Sequence, residues 1–87
     1  MSLVFAPHEP VNVIFGGGLP ARFVFQNERW VVTSAQADGI DWIAGESRVI
    51  SWVIRAQIED GSDAATFELV RNFSIGSGWM IDSVSFA

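Results

Sequence analysis

The chain carries one imidazole, His8, and no cysteine, so the chemistry open to it is narrow. A Ser-His-Asp relay would have to run through that histidine. His8 lies between Pro7 and Glu9 in a proline-flanked segment that reads as solvated rather than catalytic. Without a second histidine or a thiolate, a transition-metal site would have to be built from carboxylates. Two carboxylate groups are close in sequence: Asp38 with Asp41, and Glu59 with Asp60 and Asp63. The second group has neither the spacing nor the terminal glutamate of a calcium loop and reads as a solvated turn. Asp82 sits among apolar neighbours, where a buried carboxylate could do acid–base work; facing water or pairing with an arginine is the plainer reading. Glu68 beside an arginine is a further candidate of the same kind. Gly16-Gly17-Gly18 matches neither the P-loop nor the dinucleotide glycine pattern, and a strand follows it instead of a helix. It reads as a turn. No catalytic residue, cofactor or metal is expected, and the chain does not read as an enzyme.

The charge pattern narrows the partners. Net charge is −5, with five arginines and no lysine. Nucleic-acid affinity depends on neutralising phosphates, and Arg22, Arg29, Arg48, Arg55 and Arg71 are scattered along the sequence. Direct nucleic-acid binding is disfavoured unless strands gather Arg55 and Arg71 on one face. The N-terminal segment has no basic stretch and no long apolar run, so it does not read as a signal peptide. No stretch nears the roughly 20 apolar residues that span a bilayer. These features point to a cytosolic protein without disulfides.

Apolar residues make up 49% of the chain and charged residues 17%, so its apolar surface must be buried in a core or an interface. Residues 1–87 are one domain's worth, with an irregular lead-in at 1–10 and a β core over 11–87. A chain this size has on the order of 4–13 kcal/mol of stability, little of it spare for strained geometry.

The elements that would position any site are strands. Arg48–Ile58 is the clearest: Ile50, Trp52, Ile54, Ala56 and Ile58 recur with period 2, which a helix would scatter. Its length predicts a bend or bulge. Val11–Phe15 is a short apolar run. Ala21–Gln26 puts Ala21, Phe23 and Phe25 on one face. Asn27-Glu28 reads as a two-residue hairpin turn into Arg29–Ala35. Glu59–Asp63 is a turn, Ala65–Phe73 resumes with Phe67, Leu69 and Phe73 on one side, and Trp79–Phe86 closes the chain. Gln36–Ser47 has turn signals at Asp38-Gly39 and Gly45, and reads as a loop with one helical turn or a short extended piece. The expected fold is all-β, or α+β should 36–46 be helical. It is a single antiparallel sheet of about six strands, strongly bent or curled into a half-open barrel.

Four tryptophans and seven phenylalanines suit a small core that relies on large side chains. Trp30, Trp52 and Trp79 lie in strands and read as core. Trp42 lies in a polar, turn-rich segment and either plugs the core or anchors a partner.

Several segments occur in an ordered pattern: Arg22-Phe23-Val24-Phe25, Trp30, Trp42, Ser51-Trp52-Val53-Ile54-Arg55, Phe67-Glu68-Leu69-Val70-Arg71 and Trp79-Met80-Ile81. From about Pro20 to Phe86 this resembles a family of small bacterial domains. It is similar to the C-terminal part of the polymerase-like accessory proteins of the translesion mutasome and to their stand-alone actinobacterial relatives. The chain departs from that pattern at Ser51, Val70 and Ser85, where tyrosine is usual, and at Val53, where arginine is common. The resemblance implies an accessory, protein-binding role near DNA-damage tolerance and identifies no catalytic residue.

The function expected from the sequence is therefore a cytosolic protein-interaction module that binds a protein partner or itself, with Trp42, Arg55 and Arg71 as candidate partner-binding residues. The alternative is a small-molecule-binding β-barrel with an aromatic-lined interior.

Overall fold

A computed structural model describes residues 3–74 and 76–86. Every regular element in it is a strand: β1 (Leu3–Phe5), β2 (Glu9–Pro10), β3 (Val13–Gly16), β4 (Leu19–Phe25), β5 (Glu28–Ile43), β6 (Glu46–Ile58), β7 (Ala64–Arg71) and β8 (Trp79–Phe86). The fold is all-β, as the alternation predicts. It has eight strands rather than about six, because the lead-in contributes two and Gln36–Ser47 is strand throughout.

From β3 to β8 each strand pairs antiparallel with the next, and β1 and β2 both pair with β8. The sheet curls into a half-barrel. Glu9 and Pro10 pair with Ile81 and Met80 of β8, and three residues later Val13 pairs with Phe23 of β4. The segment between them thus bridges the two edges of the meander. Val11 is buried there, its amide donating to the Trp79 carbonyl at 3.1 Å.

Short turns set the register. Gly17-Gly18, Gln26-Asn27 and Ala44-Gly45 each have both central residues at positive φ, the conformation that matches the twist of two-residue hairpins. The β4–β5 hairpin is as expected, but its turn is Gln26-Asn27, with Glu28 already paired to Phe25.

The core lies on one face. Along β6, Trp52, Ile54 and Ala56 are buried, as the period of 2 requires; Ile58 is half-buried and packs against them. Phe67 is fully buried at the centre. Its ring meets Phe23 and Trp30 edge-on, both at 4.9 Å between centroids, and Phe25 at 5.6 Å. These are the favoured aromatic geometries. The Trp30 indole N–H donates to the Phe25 carbonyl. Phe73 does not continue this stripe. It lies beyond the end of β7 and is 65% exposed.

Gln36–Ser47 looked irregular for a definite reason. The β5–β6 pairing contains three extra residues: Thr33 and Asp38 on β5, and Ile50 on β6. Each bulge shifts the alternation by one, so a run of 16 residues shows no sustained period. Asp38-Gly39 is such a bulge rather than a turn. A Cβ on Gly39 would lie 2.5 Å from Ser51 Oγ and 3.3 Å from Ile50 Cγ1, so a larger residue there would force both side chains to shift.

Candidate functional site

The β5–β6 hairpin is longer than the sheet it belongs to. β4 pairs with β5 only from Glu28 to Val31, and β7 pairs with β6 only from Ser51 onward. Residues 40–50 therefore form a two-stranded arm beyond the body, with Ala44-Gly45 at its tip. The molecule measures 43 Å along its long axis and 25 and 24 Å across.

One face of the arm is apolar. Residues directly opposite on paired strands share a face, which places Ile40 with Val49 and Trp42 with Ser47. Val49 packs against the core cluster, so this face continues the core face outward past its covering strands. Ile40 is 59% exposed and Trp42 is 71% exposed. The Trp42 amide donates to Asp41 Oδ1 at 2.9 Å, and Asp41 stands opposite Arg48. Of the two sequence readings of Trp42, the core plug is excluded by this exposure.

The other two candidates lie elsewhere and do not form a site with Trp42. Arg55 points outward from β6 and donates to Thr66 Oγ1 at 3.3 Å. Arg71 lies at the end of β7, its guanidinium 5.1 Å from the rings of both Phe73 and Trp79. Thr66 is the partner of Arg55, so Arg71 is five residues, or roughly 16 Å, further along β7. The strands do not gather the two arginines into a basic patch.

A second surface feature is absent from the sequence reading. On the outer face of β3–β5, Ile14, Arg22 and Val31 form one cross-strand row, and Val24 and Arg29 the next. Together with Pro10, Val11 and Asn12 of the lead-in and the core residues Phe23 and Trp30, they line a cleft of about 630 Å³ that Glu59 borders. Ile14, Val24 and Val31 are exposed. Among the described residues no carboxylate lies within ion-pairing distance of Arg22 or Arg29. The signal in the sequence was the outward alternation of Arg22 and Val24 between Phe23 and Phe25; the cleft itself depends on which strands adjoin.

The groups that could do acid–base chemistry are few. His8 Nδ1 lies 3.1 Å from Asp82 Oδ1, both side chains well exposed. Asp82 thus pairs with the imidazole rather than with an arginine, and the contact pins the lead-in to β8. Asp60 lies in the expected turn, its carboxyl held below the usual range by hydrogen bonds from the Ser62 hydroxyl and backbone amide. Among the described residues no three metal-ligating side chains cluster, and no helix is long and apolar enough to cross a membrane.

No family model matches the chain, and no curated protein or solved structure matches it. The resemblance to mutasome accessory domains thus rests on its ordered motifs alone.

Proposed function

We propose that the chain is a protein-interaction module whose arm, residues 40–50, engages a protein partner. The observation that carries this reading is the exposure of Trp42 and Ile40 on a ribbon that no third strand covers. A two-stranded ribbon alone is marginal in water. Its open backbone edges are templates for pairing, and tryptophan is enriched among the residues that dominate binding energy. In this reading the chain works by binding and catalyses no reaction. A cytosolic location fits its lack of cysteine, and a link to DNA-damage tolerance follows from the motif resemblance. The scattered arginines favour a protein partner over nucleic acid. The alternative, a barrel that holds an apolar or planar ligand inside, is less well supported because the core aromatics already pack against one another.

The test is a paired affinity purification from the native host, with wild-type chain and Trp42→Ala as baits, read by mass spectrometry. The reading expects a protein enriched by the wild type and lost with the variant. If the variant retains every protein the wild type enriches, the arm is not the binding surface.

A further inference from the structure

The cleft on the outer face of β3–β5 lies across the sheet from the face that carries Trp42, and its chemistry is its own. We infer that it binds a small aliphatic carboxylate, an acyl chain ending in its acid group. The anionic half of that ligand is read from Arg22 and Arg29. Arg22 stands opposite Val31 and Arg29 opposite Val24. The two arginines are therefore diagonal neighbours on one face, their Cβ atoms roughly 7 Å apart, and like charges so placed repel. Arg55 and Arg71 are occupied, the first by the Thr66 hydroxyl and the second by two aromatic rings. Among the described residues neither Arg22 nor Arg29 has an ion-pair or side-chain hydrogen-bond partner. The nearest acids do not supply one. Glu28 alternates to the other face of β5, and Asp60 accepts from the Ser62 amide at 2.8 Å. Glu59 borders the cleft, its amide donating to the Arg29 carbonyl at 2.8 Å, but its carboxylate does not reach ion-pairing distance. Two cations against one acid leave the cleft positive in a chain of net charge −5.

The other half of the ligand is read from the apolar lining. Ile14 and Val31 flank Arg22 across the strands, and Val24 lies beside Arg29. Ile14 is 60% exposed and Val24 59%. Exposed aliphatic side chains scattered singly are ordinary; a contiguous group around two unpaired guanidiniums takes up apolar surface and an anion together. β3 pairs with β4 only as far as Phe23, and beyond it the lead-in forms the wall, where Asn12 adds an amide. A volume of about 630 Å³ is that of a small-molecule site. The planar fork of a guanidinium matches a carboxylate through two parallel hydrogen bonds. Two cations and one acid balance the single charge of a carboxylate better than the nearly double charge of a phosphate monoester. The acidic surface selects further. A polyanion is repelled along its length, whereas a monoanion between the two arginines meets mainly the local field.

Titration calorimetry with decanoate, kept below its micellar concentration, tests the inference. Decanoate should fill a single site. Decanol keeps the chain without the charge and acetate keeps the charge without the chain; each should bind at least about tenfold more weakly. Arg22→Gln/Arg29→Gln should weaken decanoate about 30-fold. Arg55→Gln, a charge change elsewhere on the outer surface, should leave its affinity within about twofold. Glu59→Gln removes the one acid at the site and should tighten binding about threefold, an effect that a merely structural role would not produce. All four positions are exposed, and unchanged melting curves separate lost binding from lost folding. On titration, amide NMR shifts should move at Asn12, Val24 and Val31 and stay fixed across 40–50. Decanol that matches decanoate overturns the inference, because the cleft would then read apolar surface alone. Inorganic phosphate that matches decanoate overturns it too, because the cleft would then read charge alone. So do shifts confined to the arm, an equal loss with Arg55→Gln, or no binding of decanoate at millimolar concentration. Phosphatidylglycerol vesicles that bind where soluble decanoate does not would make the site a membrane contact and likewise overturn it. None of these outcomes bears on the arm, whose reading stands or falls by the Trp42→Ala purification.

Discussion

The half-barrel and the arm share two strands, β5 and β6, which in the two places differ in what lies beside them. From Ser51 to Gln57, β6 is hydrogen-bonded on both sides, to β5 and to β7. Its inward side chains there are buried against Phe67, Trp30 and Leu69. From Glu46 to Ile50 the same strand has one neighbour, and its cross-strand partners Ile40 and Trp42 are exposed. Apolar residues do different work in the two places. In the body they exclude water from one another; on the arm they leave surface that another molecule can cover. The apolar content of a small β chain is therefore a poor measure of its core, because part of it can belong to an interface.

The comparison can be broken by substitutions, the largest effect coming from the body. Phe67→Ala removes the ring that three aromatics pack against and should cost about 3–5 kcal/mol, a large share of the expected stability. Urea denaturation followed by tryptophan fluorescence checks it. Ala44→Asn tests the arm's own cohesion. Ala44 sits at φ 54°, a conformation costly for alanine and well tolerated by asparagine, worth about 1 kcal/mol. Amide hydrogen exchange across 40–50 should slow about fivefold while exchange across 51–58 stays unchanged. Arg71→Ala removes the cation from over Trp79 and Phe73 and should cost about 0.5–1 kcal/mol in the same denaturation experiment. Trp42→Ala should change the stability of the isolated chain by no more than about 0.5 kcal/mol, since an exposed side chain has little burial to lose. A loss there comparable to that of Phe67→Ala would erase the distinction between body and arm.

Much of the body was legible because its alternation is unbroken. Phe23, Phe25, Trp52, Ile54 and Ala56 all fall on the buried face that period 2 assigns them. The lead-in was read as irregular because Leu3–Phe5 and Glu9–Pro10 are too short and too interrupted by proline to signal strands; they are strands because β8 offers them an edge. The arm was read as a loop because its bulges erase the period. Trp42 stood out in the sequence as a tryptophan in a polar, turn-rich segment, and it is exposed on the arm. Arg55 and Arg71 were named with it, but strand register sets them apart. The cleft went unseen because Ile14, Arg22 and Val31 belong to three strands.

By itself the sequence determined the fold class, the buried face of β4 and β6, the inward Phe67 and Leu69 of β7, and a hairpin turn at Asn27 within one residue. These follow from local rules, the period of the pleat and the tolerance of Asn27 for positive φ. Only the tertiary structure decided that the β5–β6 hairpin outruns the sheet, that His8 meets Asp82, and that Arg22 and Arg29 share a cleft. Each of these depends on which strand ends beside which. That is set by the summed packing of the whole sheet around Phe67 rather than by any run of neighbouring residues.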